Sequence, residues 1–515
     1  MSGSVLDAPI GLTALFEEPD QKVRGPFLVS GFDTFLADFS GWLLDLSEAV
    51  PCIWVKATDL LIQSESDLLL SLQGVARKSG WLNCPVLLFV EGVVDGLQEY
   101  SPLSLTRFVV FDAVEQQELE TAVFPQKTFL NFLQTKMTLL ELAPYEIRKP
   151  VTGPQFFGRQ AEIDRVLQNP QTNYLFVGIR RIGKTSLLKE IKRQLDLRDP
   201  PGPNQMRRVY IDCTVISSED EFMRTLTFQL EQSGLTILES RAQDPQRYQK
   251  RILDHYGMVH GSPITFLLDE FDRLLSHMKP DWPLLQVLNT AVQSQKVRLI
   301  AAGFRLAMDA SINPNSPLYN VMTPIRLGRL PVVDVEHMVL DPLQRMGIQV
   351  QDPAQMVTRI YSETAGLPNY VQHYCHILLE QLMDNGQRVV TPDDITTVQK
   401  NPAFRDFVLN TFMANTDLLE QAIVYAIIDE GETAVLPNFT ERHIHNFLKN
   451  RKLSLPFEQV DSACRKLEMA GVFNRVDAEY TFAVPLFQTL LRQTRDVCFL
   501  FERTREAFQT ENVLP

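Results

Sequence analysis

The chain has 515 residues, six cysteines, 45% hydrophobic residues and a formal net charge of -14 at pH 7. That length is too great for one hydrophobic core and sets an expectation of two to four domains. The acidic balance argues against a surface evolved to coat nucleic acid, because such binding displaces counterions with clustered Lys and Arg, and it leaves room for a local basic patch. Cys52, Cys84, Cys213, Cys375, Cys464 and Cys498 show no paired spacing for a zinc site or a redox dithiol. The first residues lack the basic start and apolar run of a signal peptide, and no apolar stretch approaches the roughly 18 residues that cross a bilayer. The expectation is a cytoplasmic chain with reduced thiols and no membrane partner.

Residues 1–145 read as a small α/β domain, in which apolar runs alternate with amphipathic stretches. Strands are expected at 26–30, 52–56, 86–90 and 107–111. The three-and-four spacing of apolar residues predicts helices over 34–48 and 66–78, and a longer helical segment over 115–142. Asp59, Glu91 and Asp112 follow three of these strands, where carboxylates could form a metal or phosphoryl site or serve as ordinary loop residues. No glycine-rich loop and no Ser, His and Asp set accompanies them, which favours an adaptor or sensor. Pro150, Pro154 and the glycine between them mark residues 146–155 as a linker.

Residues 156–330 read as a second α/β unit and carry the chemistry. The run YLFVGIRRIGKTS is an apolar strand, then G-x-x-x-x-G-K-T, then Leu187, Leu188 and Ile191 at helical spacing. Gly178 and Gly183 let the backbone turn tightly, so that the amides of Ile179, Arg180, Arg181, Ile182, Lys184, Thr185 and Ser186 can face phosphate oxygens at a helix start. Lys184 would contact the β and γ phosphates of ATP, and the Thr185 hydroxyl is placed to ligate Mg²⁺. Farther on, 264–268 is a continuous apolar run, the mark of a parallel strand buried on both faces, and it ends in Asp269 and Glu270. Asp269 would hold Mg²⁺ through water, and Glu270 would orient or activate the attacking water. The plainer reading of that pair is a helix start complemented by acidic residues. A third buried strand, 297–302, ends at Gly303, Phe304 and Arg305.

Residues 331–416 read as a mostly helical lid, with Gly366, Leu367 and Pro368 opening an apolar helix. His373 and His376 flank Cys375 on that helix, where core packing explains them better than metal binding. Residues 417–495 show helix, helix, helix and then two short strands near 473–476 and 480–484, the order of a winged helix, and 496–515 form a terminal helix and tail. From Asp417 onward the chain holds 11 Lys and Arg against 15 Asp and Glu. The third helix, 456–470, mixes Glu458, Asp461, Glu468, Arg465 and Lys466. A protein-contact role is therefore favoured over DNA reading, which needs cationic phosphate contacts.

Taken together, the motifs resemble those of the STAND-type signalling ATPases and the related archaeal-type ATPases of the wider AAA+ group. The resemblance covers roughly 156–495. Phe157, Gly158 and Arg159, followed by Glu162, look like the family's F-x-G-R-x-x-E motif, which helps frame the adenine. The 180–188 run is close to its Walker A loop, and Leu268 to Asp272 match its Walker B element. Ser316 to Tyr319 match a short motif after the third strand, and Pro368 matches a G-x-P turn that contacts the nucleotide. The resemblance also implies a polar γ-phosphate sensor at the end of the third strand, for which Arg305 is the candidate, a plain surface arginine being the alternative. Two departures stand out. Asn320 and Val321 occupy the place of the usual Gly-Arg, leaving Arg326 as the substitute arginine, and the third strand lacks a terminal Asn, Thr or Ser, which weakens the case for fast hydrolysis. The expected fold is α/β: a P-loop NTPase core with a parallel sheet between helices, a helical subdomain and a winged helix, preceded by a separate small α/β domain. The implied function is an ATP- and Mg²⁺-dependent switch with protein partners at the N-terminal domain and winged helix, and with nucleotide-dependent self-association. The competing functions are a DNA-associated, origin-recognition-type ATPase and a nucleotide-binding scaffold with little hydrolysis.

Overall fold

The computed structural model describes residues 8–16, 22–39, 42, 44, 49–62, 65–81, 85–92, 107–145, 147, 149–200, 208–232, 264–278, 283–430 and 438–511. The chain divides into two compact units. The first comprises residues 1–145, 336–353 and 375–395, and the second 146–335, 354–374 and 396–515. Segments 336–353 and 375–395, which the sequence places in the helical lid, thus group with the N-terminal domain.

The first unit is built on a five-stranded sheet in the order β1-β2-β3-β4-β5, with β1 Val23–Val29, β2 Phe32–Ala37, β3 Val50–Val55, β4 Pro85–Val90 and β5 Arg107–Phe111. The first two pairings are antiparallel and the last two parallel. The helix Glu65–Lys78 crosses from β3 to β4 and buries Leu68, Leu72, Val75 and Ala76 against Ile53, Val86 and Leu88. Such helical spacing on a strand row is what a parallel crossover requires. On the other face Phe129 stacks between Phe39, at 5.5 Å, and Phe111, at 5.0 Å.

Two helix expectations fail here. Residues 34–37 belong to β2, because this short apolar run is paired on both sides, to β1 and to β3, and that overrides its helix-like spacing. Of 38–48, residues 40, 41, 43 and 45–48 lie outside the described set. The segment 115–142 is three helices, Ala113–Thr121, Pro125–Lys136 and Leu139–Leu142. Pro125 starts the second, and a capping box between Thr138 and Glu141 starts the third. The acidic residues beyond the strands act as caps: Asp59 accepts the Lys56 amide at 2.9 Å, Glu91 the Ala57 amide at 3.1 Å and Asp112 the Glu115 amide at 2.8 Å.

The second unit has a fully parallel sheet in the order β10-β6-β9-β8-β7, with β6 Tyr174–Val177, β7 Arg208–Asp212, β8 Ile264–Asp269, β9 Val297–Gly303 and β10 Thr323–Arg326. Every residue of β6, β8 and β9 is buried. Helices cover the sheet, as parallel strands demand, and the whole is a P-loop NTPase fold. Beyond it come the helices Pro402–Asn415, Leu418–Glu430, Glu441–Asn450 and Phe457–Met469, then an antiparallel hairpin of Phe473–Val476 with Glu479–Phe482, and then the helices Pro485–Thr494 and Val497–Glu511. The last of these packs along Leu418–Glu430, a helix buried along most of its length. His373 stacks on Phe407 at 4.2 Å and His376 pairs with Glu380 at 3.5 Å. Cys52, Cys213, Cys375 and Cys464 are buried free thiols and Cys498 is exposed, while Cys84 lies outside the described residues. No helix among the described residues is long and apolar enough to cross a membrane.

Arg298 holds the sheet to its first helix. Buried inside β9, its guanidinium donates to the carbonyls of Thr172 at 3.0 Å, Val166 at 2.8 Å and Asn169 at 2.9 Å, at the C-terminal end of the helix Gln160–Gln168. A cation there satisfies carbonyls that the helix leaves open. Arg298→Met is expected to lower the free energy of unfolding by roughly 2–4 kcal/mol, since three carbonyl acceptors, that of Val166 buried, lose their donor. A denaturant melt of the two chains measures this, and an unchanged midpoint contradicts it.

Candidate active site

The parallel order sets the geometry. β6 lies between β9 and β10, and β9 lies between β6 and β8, so the loop after β6 and the acidic end of β8 open on the same edge. Ligands of α/β proteins bind at that carboxyl edge. After β6 the chain turns through Arg181 at φ 68° and Gly183 at φ 96°, with open space where a Gly183 side chain would stand. The helix Lys184–Arg198 starts there with no side-chain cap, so its first amides are left for a ligand.

Lys184 is 5% exposed, and its Nζ donates to the carbonyls of Gly178 at 2.8 Å and Ile179 at 2.9 Å. Burial pulls its pKa down, while the charges of Glu270, Asp269 and Asp272 push it up. The sequence-predicted lysine and acidic pair are therefore brought together. Asp269, buried at the end of β8, accepts from the Tyr210 hydroxyl at 2.8 Å and from the Glu270 amide at 3.0 Å. Burial, and then Asp269, push the Tyr210 phenol up, so it stays a donor. Glu270 itself sits in the left-handed region at φ 48° and is half-buried. Asp272, two residues on, caps the helix Arg305–Ile312 by accepting the amides of Leu306 at 2.8 Å and Ala307 at 3.3 Å.

Other predicted positions fall in distinct places. Ser186 Oγ accepts the Val151 amide at 3.2 Å, and Ile179 and Ile182 are buried. Thr185 is half-buried on the first turn of the helix. The Arg180 amide donates to Asn415 Oδ1 at 2.9 Å, and the Arg181 guanidinium lies over the Phe407 ring at 4.8 Å. Arg326 is exposed at the end of β10.

Arg305 differs from its expected orientation toward a phosphate. Its guanidinium donates to Glu420 Oε2 at 2.5 Å and to the Asn415 carbonyl at 3.0 Å, with Asp417 at 3.5 Å. A buried carboxylate claims it, and burial pushes that Glu420 carboxyl up to about 7 against the pull of Arg305.

The motif at 157–159 and the turn at 366–368 meet at residues 327–330. The Leu327 amide donates to Val177 O at 2.8 Å, the Leu330 amide to Gly366 O at 2.9 Å, and the Arg159 guanidinium to Gly328 O. Gly158, at φ 73°, lies where a Cβ would stand 2.7 Å from Asp334 Oδ2 and 2.8 Å from Leu330. Pro368 opens the helix Pro368–Asp384 just beyond.

Sequence reasoning missed Tyr210 and Asn415, neither of which has a local signal, and it placed Asp272 in the Leu268 to Asp272 run without a role of its own. Together the buried cation, the uncapped helix start and the two carboxylates have the donor set that fits a magnesium-bound triphosphate. Lys184→Ala is expected to weaken Mg-ATP binding by at least about 100-fold, the loss expected for a buried charge-assisted contact. Titration calorimetry tests this beside a melting curve, and tight ATP binding by a folded Lys184→Ala chain contradicts it.

Residues 168–306 match the family model described as AAA domain. No curated protein matches the chain. Among solved structures, a Walker-type ATPase of Pyrococcus abyssi aligns at 17% identity and a TM-score of 0.49, over 68% of this chain and 99% of that one. The Aeropyrum pernix ORC2 protein, in ADPNP–ADP complexes, aligns at 13% identity and a TM-score of 0.47, over 71% and 98%. CDC6P of Pyrobaculum aerophilum aligns at 14% identity and 0.36, over 68% and 97%. At these levels the likeness says nothing of substrate or partner. The matched segment and the sheet order support an AAA-type P-loop core.

Proposed function

We propose that the chain is an ATP-binding, slowly hydrolysing molecular switch of the STAND type, which couples nucleotide state to recruitment of a protein partner or to self-association. The observation that carries this reading is the buried Lys184 ammonium within reach of the Glu270 and Asp269 charges at the carboxyl edge of the sheet.

In this reading Lys184 exchanges its two carbonyl acceptors for the β and γ phosphate oxygens. The uncapped first amides of the helix Lys184–Arg198 would face the phosphates, while the Arg180 amide is held by Asn415. Thr185, and Asp269 through water, would hold Mg²⁺, which would neutralise charge on the triphosphate. Tyr210 keeps one Asp269 oxygen fixed, so that the carboxylate presents a set orientation. Glu270 stands at the edge of the strand, where it can accept a hydrogen bond from the attacking water. Phosphoryl transfer asks mainly for such positioning and charge stabilisation.

The segment 417–495 is read as a winged helix that contacts protein. On Phe457–Met469, Arg465 pairs with Asp461 at 2.8 Å and Lys466 lies 3.9 Å from Asp417, so both cations already have carboxylate partners. That favours packing over phosphate contact. The N-terminal domain, whose strand-end carboxylates serve as caps, is read as the adaptor.

Glu270→Gln is expected to keep ATP affinity within about threefold and to lower turnover by about 100-fold, the range of a lost general base. A phosphate-release assay decides, and unchanged turnover removes Glu270 from the chemistry and favours a scaffold. Limited proteolysis in saturating ATP and in ADP checks the switch, whose two states must give different cleavage patterns.

A further inference from the structure

The first unit carries a groove that the nucleotide site does not use. Its cavity of about 1150 Å³ exceeds the roughly 300–1,000 Å³ of small-molecule sites, so its size suits a segment of polypeptide. The lining comes chiefly from the helix Pro125–Lys136 with the two residues before it, and from the C-terminal end of the helix Val332–Arg345 with Gly347. Both sides belong to the same compact unit. They are tied to each other directly: Gln134 Nε2 donates to Arg345 O at 3.2 Å, and the Arg388 guanidinium donates to Gln134 O at 2.9 Å and to Met346 O at 3.1 Å. At Gly347, φ 71°, a Cβ would stand 2.5 Å from Gln134 Oε1, so the amide that ties the two sides sits against bare backbone. A groove fixed in this way exists before a ligand arrives, which removes part of the ordering cost of binding.

Three features of the lining point to one kind of occupant. Val123 is 85% exposed and Phe124 70%, and an exposed aromatic beside an exposed aliphatic residue is the pattern of a surface kept for a partner. Lys127 on one side and Arg345 on the other are exposed, and neither side chain makes an ion pair or hydrogen bond among the described residues. Asp341, the single acidic residue of the lining, pairs with His337 at 3.1 Å. In a chain of net charge -14, a concave site with two unpartnered cations favours acidic ligands. The side-chain amides of Asn131 and Gln344 are also exposed and unbonded among the described residues, and each offers a donor and an acceptor, as a peptide backbone requires. Two cations are too few for nucleic acid, whose affinity comes from many phosphate contacts.

We infer that this groove binds an acidic peptide segment of a protein partner, one that sets an aromatic or leucine side chain against Val123 and Phe124 and carboxylates toward Lys127 and Arg345. The inference deepens the adaptor reading of the N-terminal domain and rests on it.

The test begins with the full chain and a phage-displayed library of random peptides about a dozen residues long, which at roughly 3.3 Å per residue span a groove on a domain of this size. Selection is expected to enrich sequences in which Asp or Glu flank Phe, Trp or Leu. A synthetic enriched peptide, followed by fluorescence anisotropy, is expected to bind at least about tenfold more weakly to Lys127→Glu/Arg345→Glu, since reversing two rim charges turns attraction into repulsion. Phe124→Ser is expected to weaken binding by about 30-fold, the loss of an aromatic anchor. Phe124 is the N-cap of the helix Pro125–Lys136 and makes no side-chain cap bond, and Ser is a preferred cap, so that variant keeps its fold. Enriched peptides of basic character, or acidic ones whose binding survives both variants, overturn the groove and leave the adaptor reading to another surface. No enrichment at all overturns the groove and the adaptor reading together. A native dimer that Phe124→Ser converts to a monomer, seen by light scattering, assigns the groove to a second copy of the chain and overturns the peptide inference.

Discussion

A buried ammonium group is the constraint on which the second unit turns. Lys184 is nearly sealed from solvent, and a charge removed from water must be compensated nearby. Two backbone carbonyls and three carboxylates provide that compensation, and they come from separate parts of the chain: the phosphate loop, the end of β8 and the start of the next helix. Only a sheet that sets β6, β9 and β8 side by side, all parallel, places those segments on one edge. The architecture is thus the means of gathering those compensating groups around one buried lysine.

The same loop is touched from the C-terminal side at several points. Arg181 stacks on Phe407 and the Arg180 amide rests on Asn415. Ile179 borders a cavity of about 30 Å³ shared with Leu367, Tyr370, Phe412 and Gly471. That volume holds about one water and leaves little slack between the loop and its neighbours. A change in the backbone of 178–183 would therefore be felt by the Pro402–Asn415 helix through packed side chains, which shift between discrete arrangements more readily than they deform.

Much of this was legible in the amino-acid order because the signals are local. Glycine, lysine and threonine at fixed offsets, and unbroken apolar runs ending in acid, identify the phosphate loop and the buried strands whatever the rest of the chain does. The N-terminal domain was harder. The run at 34–37 fits either period, and pairing with strands on both sides decided it. The breaks within 115–142 come from Pro125 and the Thr138 cap, small features inside an otherwise helical pattern. Tyr210, 59 residues from Asp269, and Asn415, 235 residues from Arg180, act only through the fold, and nothing in their own neighbourhoods marks them. Arg305 is singled out in the sequence only by its place after the third buried strand, and its ion pair with Glu420 depends on a helix more than 100 residues later.

The connector at 327–330 joins the end of β6 and the turn before Pro368 through two backbone hydrogen bonds, and meets the 157–159 motif through the buried Arg159 guanidinium and one close glycine contact. The two backbone bonds are short-ranged and dipolar, so added electrolyte barely weakens them, whereas the part-exposed Arg305 and Asp417 pair feels ionic strength directly. The sheet's carboxyl edge is therefore tied to the helices beyond it by two kinds of link, one indifferent to salt and one tuned by it.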